Sequence, residues 1–494
     1  MARMDAAPEQ WQFAKMAVYY PFPNSCGSIT LCEVAVDSKP WKNSMILLNK
    51  YYLRIFSLLL NLLLVFAMEK SAYAADMDIR RAVATHYDEH LEDLFVWFHQ
   101  NPELGFLERE TSARLAAELR ELGIDVTGGI GGTGLVGIIE NGEGPLVLVR
   151  ADMDGLPILE DSGLVYSSRN RQIDRAGKEV PVMHACGHDM HMTTLVGTAK
   201  LLMDNLDKWS GKVMLVGQPA EEIINGAKAM LEDGLYDRFG VPDYAIGLHV
   251  SSSMPSGLVA VREGIVQSSA DSVDITVRGV GGHGAYPHQT IDPIYVGSQL
   301  VIAMQGIISR QINPLSPAVI TVGSFQGGSK HNIISDEVSL QLTVRTDSER
   351  TRDQVLDSIR DTALNIGRLN GLPDDLLPIV RMGFESTPTN VNNSEAVRKL
   401  LPVWAGQFGY SPLVTAPRTG MGAEDFAYFT QTEHNVPGVF FSVGGASGDL
   451  MNEIVAGTAS APPHHSAFFY IDPNSVKAGV EAMYIAAVEL LNNP

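Results

Sequence analysis

Nine consecutive residues, Met183-His184-Ala185-Cys186-Gly187-His188-Asp189-Met190-His191, hold three histidines, a cysteine and an aspartate. Thiolates and imidazoles are donors for divalent metals. Carboxylate motifs flank the cluster: Val147-Leu148-Val149-Arg150-Ala151-Asp152-Met153-Asp154-Gly155 upstream and Val216-Gly217-Gln218-Pro219-Ala220-Glu221-Glu222 downstream. Each is an apolar run ending in acid, which predicts a buried strand that delivers polar groups at its C-terminal end, where α/β sheets place their sites. A solvated charge run is the ordinary reading of any one stretch. Together, beside a thiol and imidazoles, they point to bound metal, because charged groups are rarely buried unpaired.

The elements that must position these residues follow from periodicity. Apolar spacing predicts helices over residues 78–100 and 108–122, joined by the turn Asn101-Pro102-Glu103. Gly129-Ile130-Gly131-Gly132-Thr133-Gly134 matches G-x-G-x-x-G, but Leu135-Val136-Gly137-Ile138-Ile139 follows as a strand and not a helix. The dinucleotide reading therefore fails, and the glycines read as a turn between strands. A helix over 193–206, a strand over 213–217 and a strand over 244–250 that carries His249 continue a βαβ alternation, which implies a mixed or parallel sheet. Between about 269 and 379 the order changes to strand (271–277), helix (292–310), strand (318–325), strand (337–346) and helix (352–370). That is an α+β module of ferredoxin-like order. A helix over 394–408, a buried strand over 438–443 and a closing helix over 474–491 resume the first domain and bring back His464 and His465.

The chain has 494 residues and a net charge of −21. Such an acidic protein repels nucleic-acid phosphates. Residues 45–74 have the form of a secretory signal, with Lys50 and Arg54 basic, an apolar run from 55 to 68, and Ala72-Tyr73-Ala74 as the cleavage site. The run is shorter than the ~20 residues of a membrane span. A periplasmic or secreted protein is expected, with Met45 as the true start and no stable membrane anchor after cleavage. Cleavage after Ala74 discards Cys26 and Cys32 and leaves Cys186 alone, which excludes an internal disulfide framework.

Six motifs in order, His-Gln-Asn-Pro-Glu-Leu (99–104), Arg-Ala-Asp-Met-Asp-Gly-Leu-Pro (150–157), His-Ala-Cys-Gly-His-Asp (184–189), Gln-Pro-Ala-Glu-Glu (218–222), Gly-Gly-His-Gly-Ala-Tyr-Pro-His (281–288) and Ala-Glu-Asp-Phe (423–426), resemble the hippurate hydrolase and auxin-conjugate amidohydrolase branch of the aminoacylase-like dinuclear metallopeptidases. The resemblance runs from about residue 80 to the C-terminus. It implies an α/β fold: a zinc-peptidase-like catalytic domain with a mixed central sheet, interrupted by an inserted α+β ferredoxin-like lid that also serves dimerisation. The expected division is an upstream extension that is not native (1–44), the signal peptide (45–74), a first segment of the catalytic domain (75–265), the lid (266–380) and a second segment of the catalytic domain (381–494).

Carried over residue by residue, the resemblance makes Cys186 a bridging thiolate, with His188, Glu222, His249 and His465 as the other ligands of two divalent ions per subunit, roughly 3.5–4 Å apart. Zinc suits this donor set, with manganese, cobalt or nickel as alternatives. Glu221 becomes the general base: one carboxylate of the pair binds metal while its neighbour takes a water's proton and passes it to the leaving amine. His184, His191, Asp152 and Asp154 are left as orienting or structural neighbours. In the lid, His283 resembles the histidine that polarises the carbonyl oxygen, often from a partner subunit, Asn332 an asparagine near the same oxygen, and Arg345 the arginine that grips the substrate's free carboxylate. His288 and His331 read as structural.

The chain departs from the family pattern in three places. Met190-His191 replaces Gly-His, Ala423 replaces a serine, and His465-Ser466-Ala467 lacks a proline. The last departure leaves His464 and His465 as competing ligands, and spacing to Phe469 and Asp472 favours His465. The expected activity is metal-dependent hydrolysis of N-acyl amino acids by a homodimer acting on small molecules. Dipeptidase or carboxypeptidase activity on the same site is the nearest alternative. A non-catalytic binding protein for metal or acyl-amino acid is a further one, which Glu221 beside Glu222 argues against.

Overall fold

Apolar runs bounded by glycine and proline form the central strands, and burial on both faces explains why they show no polar alternation. The computed structural model describes residues 79–409, 418 and 420–494; the expected extension at 1–44 and signal peptide at 45–74 lie outside the described residues. The first segment contains α1 (Glu92–Gln100), α2 (Arg109–Glu121), β1 (Asp125–Ile130), β2 (Gly134–Asn141), β3 (Leu146–Asp152), α3 (His188–Asp204), β4 (Gly211–Gln218), β5 (Tyr244–Pro255) and β6 (Val259–Ala260). Next come β7 (Ser269–Arg278), α4 (Pro293–Gly306), β8 (Ala318–Gly327), β9 (Glu337–Thr346), α5 (Glu349–Leu369) and β10 (Ile379–Thr387). The chain closes with α6 (Ser394–Phe408), β11 (Gly438–Ala446) and α7 (Ser475–Asn492).

The first sheet has seven strands in the order β1-β2-β4-β3-β5-β11-β6. Its centre, β4, β3, β5 and β11, is parallel, and β1, β2 and β6 join antiparallel, so the sheet is mixed. The glycines before β2 do form a turn between antiparallel strands, as their sequence context predicts. Gly131 has φ +62°, and a Cβ there would meet the backbone nitrogen of Met230 at 2.5 Å. One hydrophobic core unites β3, β4 and β5 with α3, α6 and α7.

A second sheet, in the order β8-β9-β7-β10, is wholly antiparallel and has its own core, which includes Val273, Leu300, Leu342 and Ile359. The element sequence β7-α4-β8-β9-α5-β10 is a ferredoxin-like βαββαβ order: its first five elements are those expected from the residues, and β10 adds the sixth. Its last strand runs to Thr387, past the boundary expected at 380, because Arg381, Met382, Ser386 and Thr387 go on pairing with Asp274, Val273, Asp271 and Ala270. Afterwards the chain rejoins the first sheet as β11, parallel to β5.

One helix boundary differs in a way that matters for the site. Helix α3 begins at His188, not near 193, and its first turn is buried although it reads His-Asp-Met-His. Apolar periodicity misses a turn whose buried residues are polar. Its N-cap Gly187 adopts φ 93°, where a Cβ would lie 2.3 Å from Val250 Cγ1.

The closing helices are fastened by Trp404, fully buried, whose Nε1 donates to the Ala482 carbonyl (2.9 Å) while its ring packs on Phe441. Trp404→Ala is expected to cost about 3–5 kcal/mol of stability, read as a lowered denaturation midpoint; an unchanged midpoint would contradict this anchoring role.

Candidate metal and active site

Strand ends and a helix start converge on the cluster. Asp152 ends β3, Glu221 and Glu222 follow β4, His188 opens α3, and His249 lies on β5. Asp154 organises them. Its two carboxylate oxygens accept the backbone N–H groups of Glu221 and Glu222 (both 3.0 Å), and its carbonyl accepts His188 Nδ1 (2.8 Å). Ala220, at φ 53°, is held in turn by the Glu108 carboxylate (2.8 Å).

These bonds decide which imidazole nitrogen is free. Because His188 Nδ1 donates to a carbonyl, Nε2 is the nitrogen turned to the cluster, 3.5 Å from Asp152 Oδ2 and without a hydrogen bond among the described residues. Burial opposes its protonation, but Asp152, Asp154 and Glu222 raise its pKa to about 10, so a bound cation would take the place of that proton. His249 repeats the arrangement: Nδ1 donates to the Val250 carbonyl (2.7 Å), and Nε2 lies 3.2 Å from Cys186 Sγ. His191 is different. Its Nε2 accepts the Val250 N–H (2.9 Å) and its Nδ1 bonds Asp152 (2.6 Å), so both nitrogens are occupied.

Cys186, His188 and His249 offer donor atoms within 4.8 Å of one another, and so do Cys186, Glu222 and His465. The two groups share Cys186. His465 Nε2 sits 3.2 Å from Glu222 Oε2, while His464 Nδ1 is 3.8 Å from Cys186 Sγ and its Nε2 accepts the Ser252 N–H (3.4 Å). Both histidines thus reach the cluster, and His465 is the one facing the carboxylate. His184 is buried with neither ring nitrogen hydrogen-bonded among the described residues, and burial lowers its pKa to about 4.

The electrostatics fit a bound cation. Burial, reinforced by Glu424 and Glu222, pushes the Glu221 carboxyl well above its usual range, and burial raises Glu222 to about 8 against the pull of His188. Burial and the two glutamates push the Cys186 thiol up as well. His249 is driven far down by burial and its histidine neighbours, and His464 falls to about 4 for the same reasons. Acids held protonated around orphaned His188 Nε2 and Glu222 Oε1 are what a divalent ion would reverse.

Other buried groups carry the site but have no role in the sequence reading. Arg150 donates to Asp152 (2.7 Å), Glu424 (2.6 Å) and Gln218 (2.8 Å) and lies 3.3 Å from Asp425. Asp425 also accepts Gln218 Nε2 (2.6 Å) and the Ala227 N–H (2.9 Å). Behind α3, His99 bridges Asp189 (2.7 Å) and Glu160 (3.1 Å); burial opposes its protonation, but these carboxylates raise its pKa to about 9. The signal for the first network was the acid pair of Ala-Glu-Asp-Phe directly before an aromatic run.

A cavity of about 1030 Å³ opens on the cluster, lined by Cys186, Glu221, Glu222 and His249 and also by Arg345 from the second sheet. His283 and Asn332 are not among its lining residues. They lie on an exposed two-stranded ribbon in which Gly282 and His283 pair with Ile334 and Ile333, two segments separated in sequence by α4 and β8. Within this chain they are therefore not brought to the cluster. The two segments of the ribbon bind each other's backbone and their own, with the Gly284 N–H on the Asn332 carbonyl (2.9 Å) and His283 Nδ1 accepting from the Ala285 N–H (3.0 Å).

Comparison with known proteins agrees with this architecture. The thermostable carboxypeptidase 2 of Saccharolobus solfataricus is 38% identical over 400 residues, 80% of this chain and 93% of the relative. The hippurate hydrolase of Campylobacter jejuni is 37% identical over 337 residues, 67% and 83% of the two chains. Among solved structures, the Bacillus subtilis YXEP protein, described as a dinuclear metal binding peptidase from the M20 family, aligns with TM-score 0.66 and 26% identity over 83% of this chain and 100% of its own. The model of peptidase family M20/M25/M40 matches residues 148–486, a span from β3 to the closing helix that includes every buried group of the cluster, and the chain belongs to that family of hydrolases.

Proposed function

We propose that the protein hydrolyses the amide bond of N-acyl amino acids at a centre of two divalent ions held by Cys186, His188, Glu222, His249 and His465. The observation that carries this reading is Glu221, a buried carboxylate beside Glu222, with Oε2 3.8 Å from His188 Nε2. A protein that only binds has no need of it. When bound, the metal pair supplies Lewis-acid stabilisation for the carbonyl oxygen and lowers the pKa of the attacking water. Thiolate and imidazole donors favour zinc, with manganese, cobalt or nickel as alternatives.

The chain's own groups perform the rest. Glu221 takes the water's proton and returns it to the leaving amine nitrogen. Arg345 lines the cavity and pairs with the free carboxylate of the amino acid. The second sheet with its two helices serves as lid and subunit contact, and His283 and Asn332 reach the carbonyl oxygen of the partner's substrate in a homodimer. Their exposure and distance from the cavity lining support action across subunits. The apolar run and A-x-A site at 45–74 support export to the periplasm or medium. A carboxypeptidase activity is the second reading, supported by the 38% identity to a relative of that name.

Hippurate, indoleacetyl- and acetyl-amino acids and dipeptides separate the two readings in a single activity screen. Elemental analysis of the purified active protein is expected to find about two divalent ions per chain; full activity without metal would end the proposal. Glu221→Gln is expected to retain its metals and lose turnover by roughly 10²–10⁴-fold, whereas Glu222→Gln binds metal more weakly. Parental turnover by Glu221→Gln would remove the base from the mechanism. Mixing His283→Ala with Glu221→Ala subunits is expected to restore some of the activity. No recovery despite demonstrated subunit exchange would place His283 outside the reaction across subunits.

A further inference from the structure

The cavity that opens on Cys186 is lined by three guanidinium groups, those of Arg345, Arg262 and Arg418. Two are engaged. Arg418 donates to Asp347 (3.0 Å), Ser268 Oγ (2.6 Å) and the Gly420 carbonyl (3.2 Å), and Arg345 donates to Thr343 Oγ1 (3.1 Å). Arg262 is the exception: among the described residues its guanidinium has no hydrogen bond or ion pair, and its Nε is buried without a partner. A buried donor left unmade is disfavoured and uncommon.

Arg262 is nevertheless fixed in place. It follows β6, and its carbonyl accepts Asn392 Nδ2 (2.9 Å). Asn392 also spans Phe440, donating to its carbonyl (2.8 Å) and accepting its N–H (2.6 Å), so the backbone of Arg262 is tied to β11. The same cavity has an apolar part of its lining, Met254, Leu258, Val261 and Phe440, of which Val261 directly precedes Arg262. Elsewhere the cavity carries the carboxyl groups of Glu221, Glu222, Glu385 and Glu424, which offer an anion no positive partner. A second anionic group on a ligand is therefore accepted only where a guanidinium can meet it.

We propose that Arg262 is the specificity residue of an anion subsite at the acyl side of the cavity, which selects N-acyl amino acids whose acyl chain ends in a second carboxylate. The apolar wall takes the methylenes, and Arg262 takes the terminal carboxylate in a charge-assisted, two-point hydrogen bond. This rests on the amide-hydrolase reading above and on the assignment of the amino acid's own carboxylate to Arg345.

The test compares N-glutaryl-phenylalanine with N-pentanoyl-phenylalanine, alike in chain length and differing in the terminal carboxylate, on metal-loaded parent, Arg262→Met and Arg345→Met proteins. The readout is the ratio of kcat/KM for the two substrates, which does not depend on the folded fraction. The parent is expected to favour the glutaryl substrate by roughly 10–100-fold, the range of a charge-assisted hydrogen bond. Arg262→Met brings the ratio towards one, while Arg345→Met lowers both rates and keeps the ratio. A parent ratio at or below one, or a preference kept by Arg262→Met, overturns the subsite. If the parent cleaves neither amide, the hydrolase reading falls separately, and calorimetry with glutarate and pentanoate decides: glutarate bound by the parent and lost in Arg262→Met sustains the subsite, and equal binding by both removes it.

Discussion

Five carboxyl groups, Asp152, Asp154, Glu221, Glu424 and Asp425, are buried at the site, and the buried guanidinium of Arg150 bonds three of them, Asp152, Glu424 and Asp425. The structure depends on that imbalance. Charged groups leave water at a cost of several kcal/mol each, recovered only by close pairing. Arg150 joins Asp152 on its own strand to Glu424, 274 residues further along, and so ties the start of the catalytic sheet to the segment that follows the second sheet. One guanidinium cannot neutralise every acid, and the surplus faces the cavity as Glu221 and Glu222. A divalent cation is the natural counter-charge at that face.

The same close packing orients the donors. His188 and His249 each give Nδ1 to a backbone carbonyl, so the main chain orients both rings with Nε2 towards the cluster. Asp154 links this choice to the base, because the residue whose carbonyl holds His188 also holds the amides of Glu221 and Glu222. A shift of the β3 end would move ligand and base together. The buried His99, clamped between Asp189 and Glu160, braces the first turn of α3 from the opposite side.

The interruption of the catalytic sheet by a second sheet also has a physical consequence. The parallel strands β3, β4 and β5 can place acids and imidazoles at one edge, but they supply no cation there beyond the buried Arg150. Arg345 comes from β9 in the second sheet and meets the cavity beside Glu385 of β10. Two independently packed cores thus meet at one cavity, the acidic cluster supplied by one and a guanidinium by the other.

Much of this was legible in the residues. Continuous apolar runs ending in acid located β3 and β4, a change in the order of periods located the first five elements of the βαββαβ module, and the dense His-Cys-His motif located the donor cluster. Those features are local, so a linear reading detects them. The sequence could not decide which nitrogen of His188 is free, why Asp154 matters, or that Arg150, Glu424 and Asp425 form one network, because each depends on groups that only the folded chain brings within hydrogen-bond reach. It also placed the start of α3 too late, since a buried helical turn made of polar residues has no apolar period. The return of His464 and His465 and the preference for His465 were readable from order and spacing; only the tertiary structure showed that both reach the cluster with His465 facing Glu222, and that His283 and Asn332 stay on an exposed ribbon outside the cavity lining. Residue types and spacing thus determined which chemistry the chain carries; packing at long range decided which atoms meet to perform it.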